Sequence, residues 1–225
     1  MIDWQAMKLT LELALIVAGA LVIIGFPLAY WIAFSQWRAK FLVEAVVGLP
    51  LILPPTVLGF YLLVTFGSQS AFGRWWMSIT GHPLAFSFAG LVIGSIIYSL
   101  PFAVQPFATA FGSVDKDLLD ASATLGAGRW RTFRQVVLPL SKAGVITGIA
   151  LSFAHTVGEF GVVLMIGGNI PGVTRTISID IYDRVQAAEY ASANVTALVL
   201  LLFSFAVLAV VYGVNRGALR AWRLR

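Results

Sequence analysis

The chain has 225 residues, of which 59% are hydrophobic and only 11% are charged, and its formal net charge is +5. Soluble domains carry about 25% charged residues, so this composition excludes an ordinary soluble protein and predicts an integral membrane protein. Cysteine is absent, which excludes disulfides, thiol nucleophiles and cysteine-held metals, and two histidines are too few for a metal site. No Walker-type phosphate loop occurs, so any ATP that drives the protein would be bound by another subunit.

Five apolar stretches separated by polar links predict an all-α polytopic membrane protein with five transmembrane helices. The stretches cover residues 9–34, 41–66, 84–111, 143–166 and 195–214, and each can cross about 30 Å of hydrocarbon as a helix. The first is too long for a cleavable signal peptide. The transmembrane domain is therefore placed at residues 9–214, followed by a basic tail at residues 215–225.

The second stretch contains Pro50, Pro54 and Pro55 within the run GLPLILPPTVLG. Each proline lacks an N–H group and disfavours helix at the preceding residue, so the helix is expected to break there. Lipid could not satisfy the freed carbonyl groups, so the break would face protein or a water-lined path. Pro101 and Pro106 in the third stretch indicate the same. These prolines either line a transport pathway or are packing kinks.

A long polar segment at residues 120–139 is predicted to contain two short helices that meet at a glycine corner. Before the corner, apolar residues recur every three or four positions, as on one face of a helix. Ser113 is placed to cap that helix, and Gly126 suits a helix end with positive φ. After the corner, Trp130 and Phe133 begin a second apolar stripe beside a basic face. The segment would project from the membrane into water.

The spacing within residues 120–139 resembles the coupling loop of ABC-transporter permeases of the importer type. The family pattern is Glu-Ala-Ala, three residues, Gly, nine residues, Ile, one residue, then Leu-Pro. This chain has Asp, Ser and Val in place of Glu, the second Ala and Ile, and the matching positions are Asp120, Ala121, Ser122, Gly126, Val136, Leu138 and Pro139. The resemblance implies a type I importer fold whose loop contacts a cytoplasmic ATPase. The loop also holds Gly128 and Arg129, and we expect Trp130 and Phe133 to be aromatic anchors in a groove of that partner.

His155 and Glu159 are the ionisable residues that lie well inside the fourth stretch. They are four residues apart and therefore on one face of the predicted helix. Ionisable groups at membrane depth usually face a bundle interior or a cavity, and the glycines of the GEFG run permit close helix approach. With Phe160 they are candidates for a pathway or gate. The alternative is an interhelical hydrogen bond that only orients the bundle.

The polar link between the fourth and fifth stretches contains a turn and two basic residues. Pro171-Gly172 fits a type II turn. Arg175 and Arg184 could contact a binding protein or attract an anion, and the alternative is that they are solvated loop charges.

Together, the GEFG run, this turn and the proline-rich run resemble the molybdate branch of importer permeases, with motifs shared by tungstate, sulfate and thiosulfate permeases. The resemblance implies a homodimer, two ATPase subunits that bind ATP and Mg²⁺, and an extracytoplasmic binding protein. The chain itself would do no covalent chemistry and would hold no cofactor or metal, and its surroundings would be membrane lipid rather than nucleic acid.

Two other classes of function stay open at this point. An ion-coupled secondary transporter could use His155 and Glu159 as a proton relay, and it would work without an ATPase. A structural or assembly protein of the membrane would need neither broken helices nor charges at membrane depth.

Charge bias predicts the orientation of the chain in the cytoplasmic membrane. If residues 120–139 are cytoplasmic, eleven of the 15 Lys and Arg residues lie on the cytoplasmic side and four lie outside. This agrees with the positive-inside rule. The N-terminus would then be outside and the C-terminus in the cytoplasm.

Single cysteines can test this orientation, because the chain has none of its own. Ser68→Cys and Val173→Cys should react with an impermeant thiol reagent added outside intact cells. Ala127→Cys should react only after the membrane is opened. Labelling of Ala127→Cys from outside would reverse the orientation.

Overall fold

The computed structural model describes residues 2–223, and these residues form helices and connecting turns without a strand. The all-α class predicted from the sequence is confirmed. The elements are α1 (Trp4–Phe34), α2 (Lys40–Ile52), α3 (Pro55–Phe66), α4 (Ala71–Thr80), α5 (Phe88–Gly112), α6 (Lys116–Thr124), α7 (Arg129–Thr132), a π-helical turn (Phe133–Val137), α8 (Leu138–Leu140), α9 (Lys142–Gly158), α10 (Gly161–Gly167), α11 (Ile177–Gln186) and α12 (Tyr190–Arg223).

Three of the described helices, namely α1, α5 and the first part of α12, are long and apolar enough to cross a membrane. Two bent helix pairs bring the number of spans to as many as five. One pair is α2 with α3, bent by 109°, and the other joins residues Arg129–Leu140 to α9 with a bend of 77°. The second predicted span is therefore not straight, because Pro54 and Pro55 interrupt it.

The predicted fourth span, residues 143–166, is also interrupted. The helix α9 ends at Gly158, and Glu159 and Phe160 separate it from the short helix α10. Glu159 has extended backbone angles, with φ −65° and ψ 133°. By contrast, α5 stays helical through Pro101 and Pro106, where the sequence predicted breaks. Neighbouring helices can stabilise a proline within a membrane helix, and α1 and α9 both pack on α5.

The core lies where α5 packs against α1 and α9. Phe107 of α5 is fully buried, and its ring meets that of Phe26 edge to face at 4.9 Å between centroids. On its other side, the Phe107 ring packs directly against Gly148 of α9. A Cβ atom at Gly148 would lie 2.5 Å from Phe107 Cε1, so a larger residue would not fit there. Small residues of this kind let membrane helices approach closely, so α5 sits at the centre of the bundle.

The helix α1 extends from one end of the bundle to the other. Near its start, the Thr10 hydroxyl accepts a hydrogen bond of 2.8 Å from the backbone N–H of Ile177. Near its end, the Tyr30 ring packs against Phe133 at 5.4 Å. Twenty residues of helix span about 30 Å, which is the thickness of the hydrocarbon core. The turn at residues 168–176 and the segment at residues 120–139 therefore lie at opposite ends, as the charge pattern predicted.

The last helix, α12, continues to Arg223 through most of the predicted tail at residues 215–225. The final two residues of that tail lie outside the described residues.

Candidate functional site

The glycine corner forms as the sequence predicted. The helix α6 ends at Thr124, and Gly126 follows with φ +76°. The N–H of Ala127 donates a hydrogen bond of 3.1 Å to the carbonyl of Ser122, which closes the turn. A Cβ atom on Gly126 would meet nothing within 4 Å, so the backbone conformation, and not a lack of space, favours glycine there.

The start of α6 differs from the prediction, because Asp115 caps this helix in place of Ser113. The Asp115 carboxylate accepts a hydrogen bond of 2.9 Å from the N–H of Asp117. Ser113 instead belongs to the end of α5, where its hydroxyl donates to the carbonyl of Ala110. Asp117 lies in the first turn of α6, where the helix dipole favours a negative charge.

The two helices of the corner are joined by a hydrogen bond that the sequence analysis missed. The hydroxyl oxygens of Ser122 in α6 and Thr132 in α7 lie 2.8 Å apart. The signal available in the sequence was Ser122 itself, which puts a hydroxyl where the family pattern has alanine. The bond fixes the angle between α6 and α7.

Phe133 occupies a different place from the one predicted. It is 8% exposed and packs edge to face against Tyr30 at 5.4 Å and Phe111 at 5.5 Å, with Phe26 at 6.4 Å. Its ring therefore lies in the core of its own chain, and this corrects the expectation that it inserts into a groove of a partner. We call these four residues the aromatic cluster.

Trp130 is the aromatic residue of this segment that faces outward. It is 68% exposed and stacks on Phe133 with 5.7 Å between the ring centroids. Leu125 is 86% exposed and Leu118 is 47% exposed. The segment therefore exposes several apolar side chains, and Trp130 also lines a groove beside α1 together with Phe26 and Tyr30.

The other predicted coupling residues surround this surface. Asp120, Ala121, Gly128, Arg129 and Pro139 are exposed, and Leu138 is half-buried. Gly128 is the N-cap of α7. Pro139 lies in α8, next to the 77° bend that leads into α9, so the chain changes direction here as predicted.

The two broken spans meet at their breaks. Pro50 is buried within α2, Pro54 is the N-cap of α3, and Pro55 is in its first turn. A Cβ atom on Gly161, at the start of α10, would lie 2.6 Å from the Cβ atom of Pro55. The structure therefore brings together the proline-rich run and the GEFG run, which the sequence analysis treated as separate pathway candidates.

His155 and Glu159 do not share a helix face, because α9 ends between them. His155 Nδ1 lies 2.9 Å from the Ser99 hydroxyl of α5, and its ring stacks on Phe102 at 3.9 Å. Glu159 is 4% exposed, and neither of its carboxyl oxygens has a hydrogen-bond partner in the described part of the chain. The predicted pair is thus two separate sites.

Phe160, the third pathway candidate, lies directly after Glu159 in the same break. Its ring packs against that of Tyr182 from α11, with 5.0 Å between the centroids.

The turn after α10 forms as predicted, with Gly172 at φ +74° and a hydrogen bond of 3.1 Å from the N–H of Val173 to the carbonyl of Ile170. Arg175 lies 3.5 Å from the Asp183 carboxylate. It also donates to the Asn169 side chain at 2.8 Å.

The second predicted basic residue, Arg184, lies in the last turn of α11 and pairs with the buried Asp180. Arg184 Nε donates to Asp180 at 2.8 Å, and this hydrogen bond raises the pKa of the guanidinium. Both arginines are engaged within the chain, and their contact with a binding protein stays a prediction.

A family model described as the binding-protein-dependent transport system inner membrane component matches residues 25–220. The chain belongs to this family and is a transmembrane permease subunit. It is 51% identical over 214 residues to the molybdenum transport system permease protein ModB of Azotobacter vinelandii, covering 95% of each chain. It is 38% identical over 188 residues to ModB of Escherichia coli K12, covering 82% of this chain and 80% of that one.

A more distant relative is the probable sulfate transport system permease protein cysT of Chlorella vulgaris, 31% identical over 207 residues, covering 92% of this chain and 77% of that one. Among solved structures, the inward-facing methionine ABC transporter MetNI superposes with a TM-score of 0.70 at 16% identity, covering 95% of this chain and 94% of that one. The bacterial alginate ABC transporter in complex with a periplasmic protein also gives 0.70, at 21% identity and 96% and 78% coverage. The fold is that of an ABC-transporter permease.

Two substitutions distinguish the inner and outer parts of the coupling segment. Phe133→Ala should lower the free energy of unfolding of the membrane domain by about 3–5 kcal/mol, since a buried ring is lost. Trp130→Ala should change it by about 0.5 kcal/mol or less, since the side chain is mainly exposed. Thermal unfolding of the two variants in the same detergent checks this. Equal losses of stability would contradict the assignment of Phe133 to the core.

Proposed function

We propose that this chain is the transmembrane subunit of an ATP-driven importer that translocates an oxyanion, with molybdate as the substrate, by alternating access. The observation that carries the proposal is the exposed apolar corner around Trp130, fixed to one end of a membrane bundle. The similarity to permeases named for molybdenum supports the choice of substrate. The sulfate permease is a more distant relative, so sulfate, thiosulfate and tungstate are the alternative substrates.

The proposed complex contains two copies of this chain, two cytoplasmic ATPase subunits that hold ATP and Mg²⁺, and an extracytoplasmic binding protein. The ATPases would dock at the corner, because tryptophan and arginine are enriched among the residues that dominate protein interfaces, and Trp130 and Arg129 are both exposed there. The binding protein would dock at the opposite end, near Arg175 in the turn and Arg184 in α11. The corner then lies in the cytoplasm, with the N-terminus outside and the C-terminus inside.

The contacts within the chain suggest how movement of the ATPases reaches the membrane spans. The Ser122–Thr132 hydrogen bond joins α6 to α7, and Phe133 fastens α7 to α1 and α5 through the aromatic cluster. A displacement of the corner would therefore move α1 and α5 with it. The helix α10 packs on α5 as well as on α3. The junction of the two broken spans, to which α10 belongs, is therefore in contact with α5 and would respond when α5 moves.

A secondary transporter with a His155–Glu159 proton relay is less well supported. A relay needs the two groups in hydrogen-bond contact or linked by further polar groups. His155 is instead bound to Ser99, and Glu159 has no hydrogen-bond partner in the described residues. A structural protein without a transport role would not need an exposed corner whose sequence matches the coupling pattern of the family.

Reconstitution into proteoliposomes with the ATPase and the binding protein tests the proposal. ATP should drive uptake of molybdate, and competition with tungstate and sulfate ranks the substrates. Trp130→Ala should weaken association with the ATPase by about 2 kcal/mol, roughly 30-fold, if Trp130 is an interface hot spot.

The matched control is Trp37→Ala, which removes an exposed tryptophan from the link between α1 and α2. It should leave both association and uptake unchanged. Uptake that does not require ATP, or a Trp130→Ala variant that binds the ATPase as well as wild type, would overturn the proposed function.

A further inference from the structure

The break between α9 and α10 buries a carboxyl group that the described residues leave unpaired. Glu159 is 4% exposed, and its two oxygens accept no hydrogen bond from the described chain. Ser95 of α5 is fully buried, and it lies one helical turn before Ser99, whose hydroxyl is 3.0 Å from that of Thr156, three residues before Glu159, so Ser95 faces the same break. The Ser95 hydroxyl nevertheless also lacks a hydrogen bond in the described chain. An unpaired buried carboxylate is strongly unfavourable, so the site requires a compensating positive charge.

The helix end increases this requirement. The helix α9 has 17 residues, and Glu159 is its C-cap. The carbonyl groups of Thr156 and Val157 accept hydrogen bonds from the N–H of Glu159 at 3.4 Å and from the Ser178 hydroxyl at 3.3 Å, but the C-terminal end of a helix still carries partial negative charge. The end of α9 therefore adds to the negative potential at Glu159.

The nearby titratable groups do not supply the positive charge. His155 in the last turn of α9 lies against the Ser99 hydroxyl at 2.9 Å and has its ring on Phe102. The ring of Tyr98 from α5 lies 4.9 Å from that of His155, but a phenol is neutral or negative and supplies no positive charge.

The arginines near α11 are engaged elsewhere. Arg184 pairs with Asp180 at 2.8 Å, and Arg175 lies 3.5 Å from Asp183. Glu159 forms no ion pair with any side chain that the structure describes.

We propose that Glu159, Ser95 and the carbonyl end of α9 form a binding site for one monovalent cation, which is either Na⁺ or a proton that makes Glu159 a neutral acid. One carboxylate balances one positive charge, and the ligands are all hard oxygen atoms, which suit Na⁺ better than a transition metal. No group of three His, Cys, Asp or Glu side chains that could hold a metal lies in the described residues. Unwound membrane helices use their carbonyl ends to bind Na⁺ or H⁺ in other transporters.

A thermal-unfolding titration tests the sodium form of the site. The permease–ATPase complex in detergent is titrated with NaCl, with choline chloride keeping the ionic strength constant. Sodium bound to the folded protein should raise the unfolding temperature of wild type. The rise should be absent in Glu159→Gln and smaller in Ser95→Ala, which keeps the carboxyl group. The control Glu12→Gln removes an exposed acid that pairs with Lys8, and it should respond as wild type does.

Infrared spectroscopy tests the proton form. The spectrum of wild type minus that of Glu159→Gln should contain the carbonyl stretch of a protonated carboxylic acid, and the corresponding difference for Glu12→Gln should lack it. Either result supports the cation site and identifies the cation. A wild type with neither a specific sodium response nor this band, or an equal sodium response in Glu159→Gln, would overturn the inference. None of these readouts depends on uptake, so failure here is distinct from failure of the proposed function.

Discussion

Burial of Phe133 in the aromatic cluster is the interaction on which the arrangement of this protein most depends. The ring joins the coupling segment to α1 through Phe26 and Tyr30 and to α5 through Phe111. A buried phenylalanine contributes far more than the single hydroxyl contact between α6 and α7. Without this ring, the exposed corner would lose its aromatic contacts with α1 and α5.

The rest of the structure is consistent with a bundle whose close contacts are made by small residues. Phe107 of α5 packs against Gly148 of α9, and Pro55 of α3 packs against Gly161 of α10. Such contacts hold helices close without side-chain hydrogen bonds. The aromatic cluster fixes the corner to α1 and α5, and the glycine contacts connect α5 to the two broken spans. The coupling surface and the pathway candidates are therefore linked through one central helix.

The sequence predicted those features that have local causes. Gly126 marked the corner because a helix end with positive φ favours glycine, and Pro54 and Pro55 marked a break because proline removes an N–H group. Predictions from the sequence were wrong where the structure depends on packing between elements. An apolar stripe cannot tell whether Phe133 is buried by its own chain or by a partner. The end of α9 at Gly158 has no strong local signal, so Glu159 was assigned to a helix that stops one residue before it. Ser113 and Asp115 can both cap a helix, and α5 continuing to Gly112 decides between them.

Whether the corner moves as one unit with α1 and α5 can be measured directly. The chain has no native cysteine, so pairs of introduced cysteines can be labelled specifically. One spin-label pair joins Thr124 in α6 to Gln36, two residues after α1, and a second joins Thr124 to Ser68 beyond α3. Pulsed electron paramagnetic resonance is recorded on the permease–ATPase complex without nucleotide and with ATP. The Thr124–Gln36 distance should stay constant while the Thr124–Ser68 distance changes. A change in the first distance as large as that in the second would contradict movement as one unit.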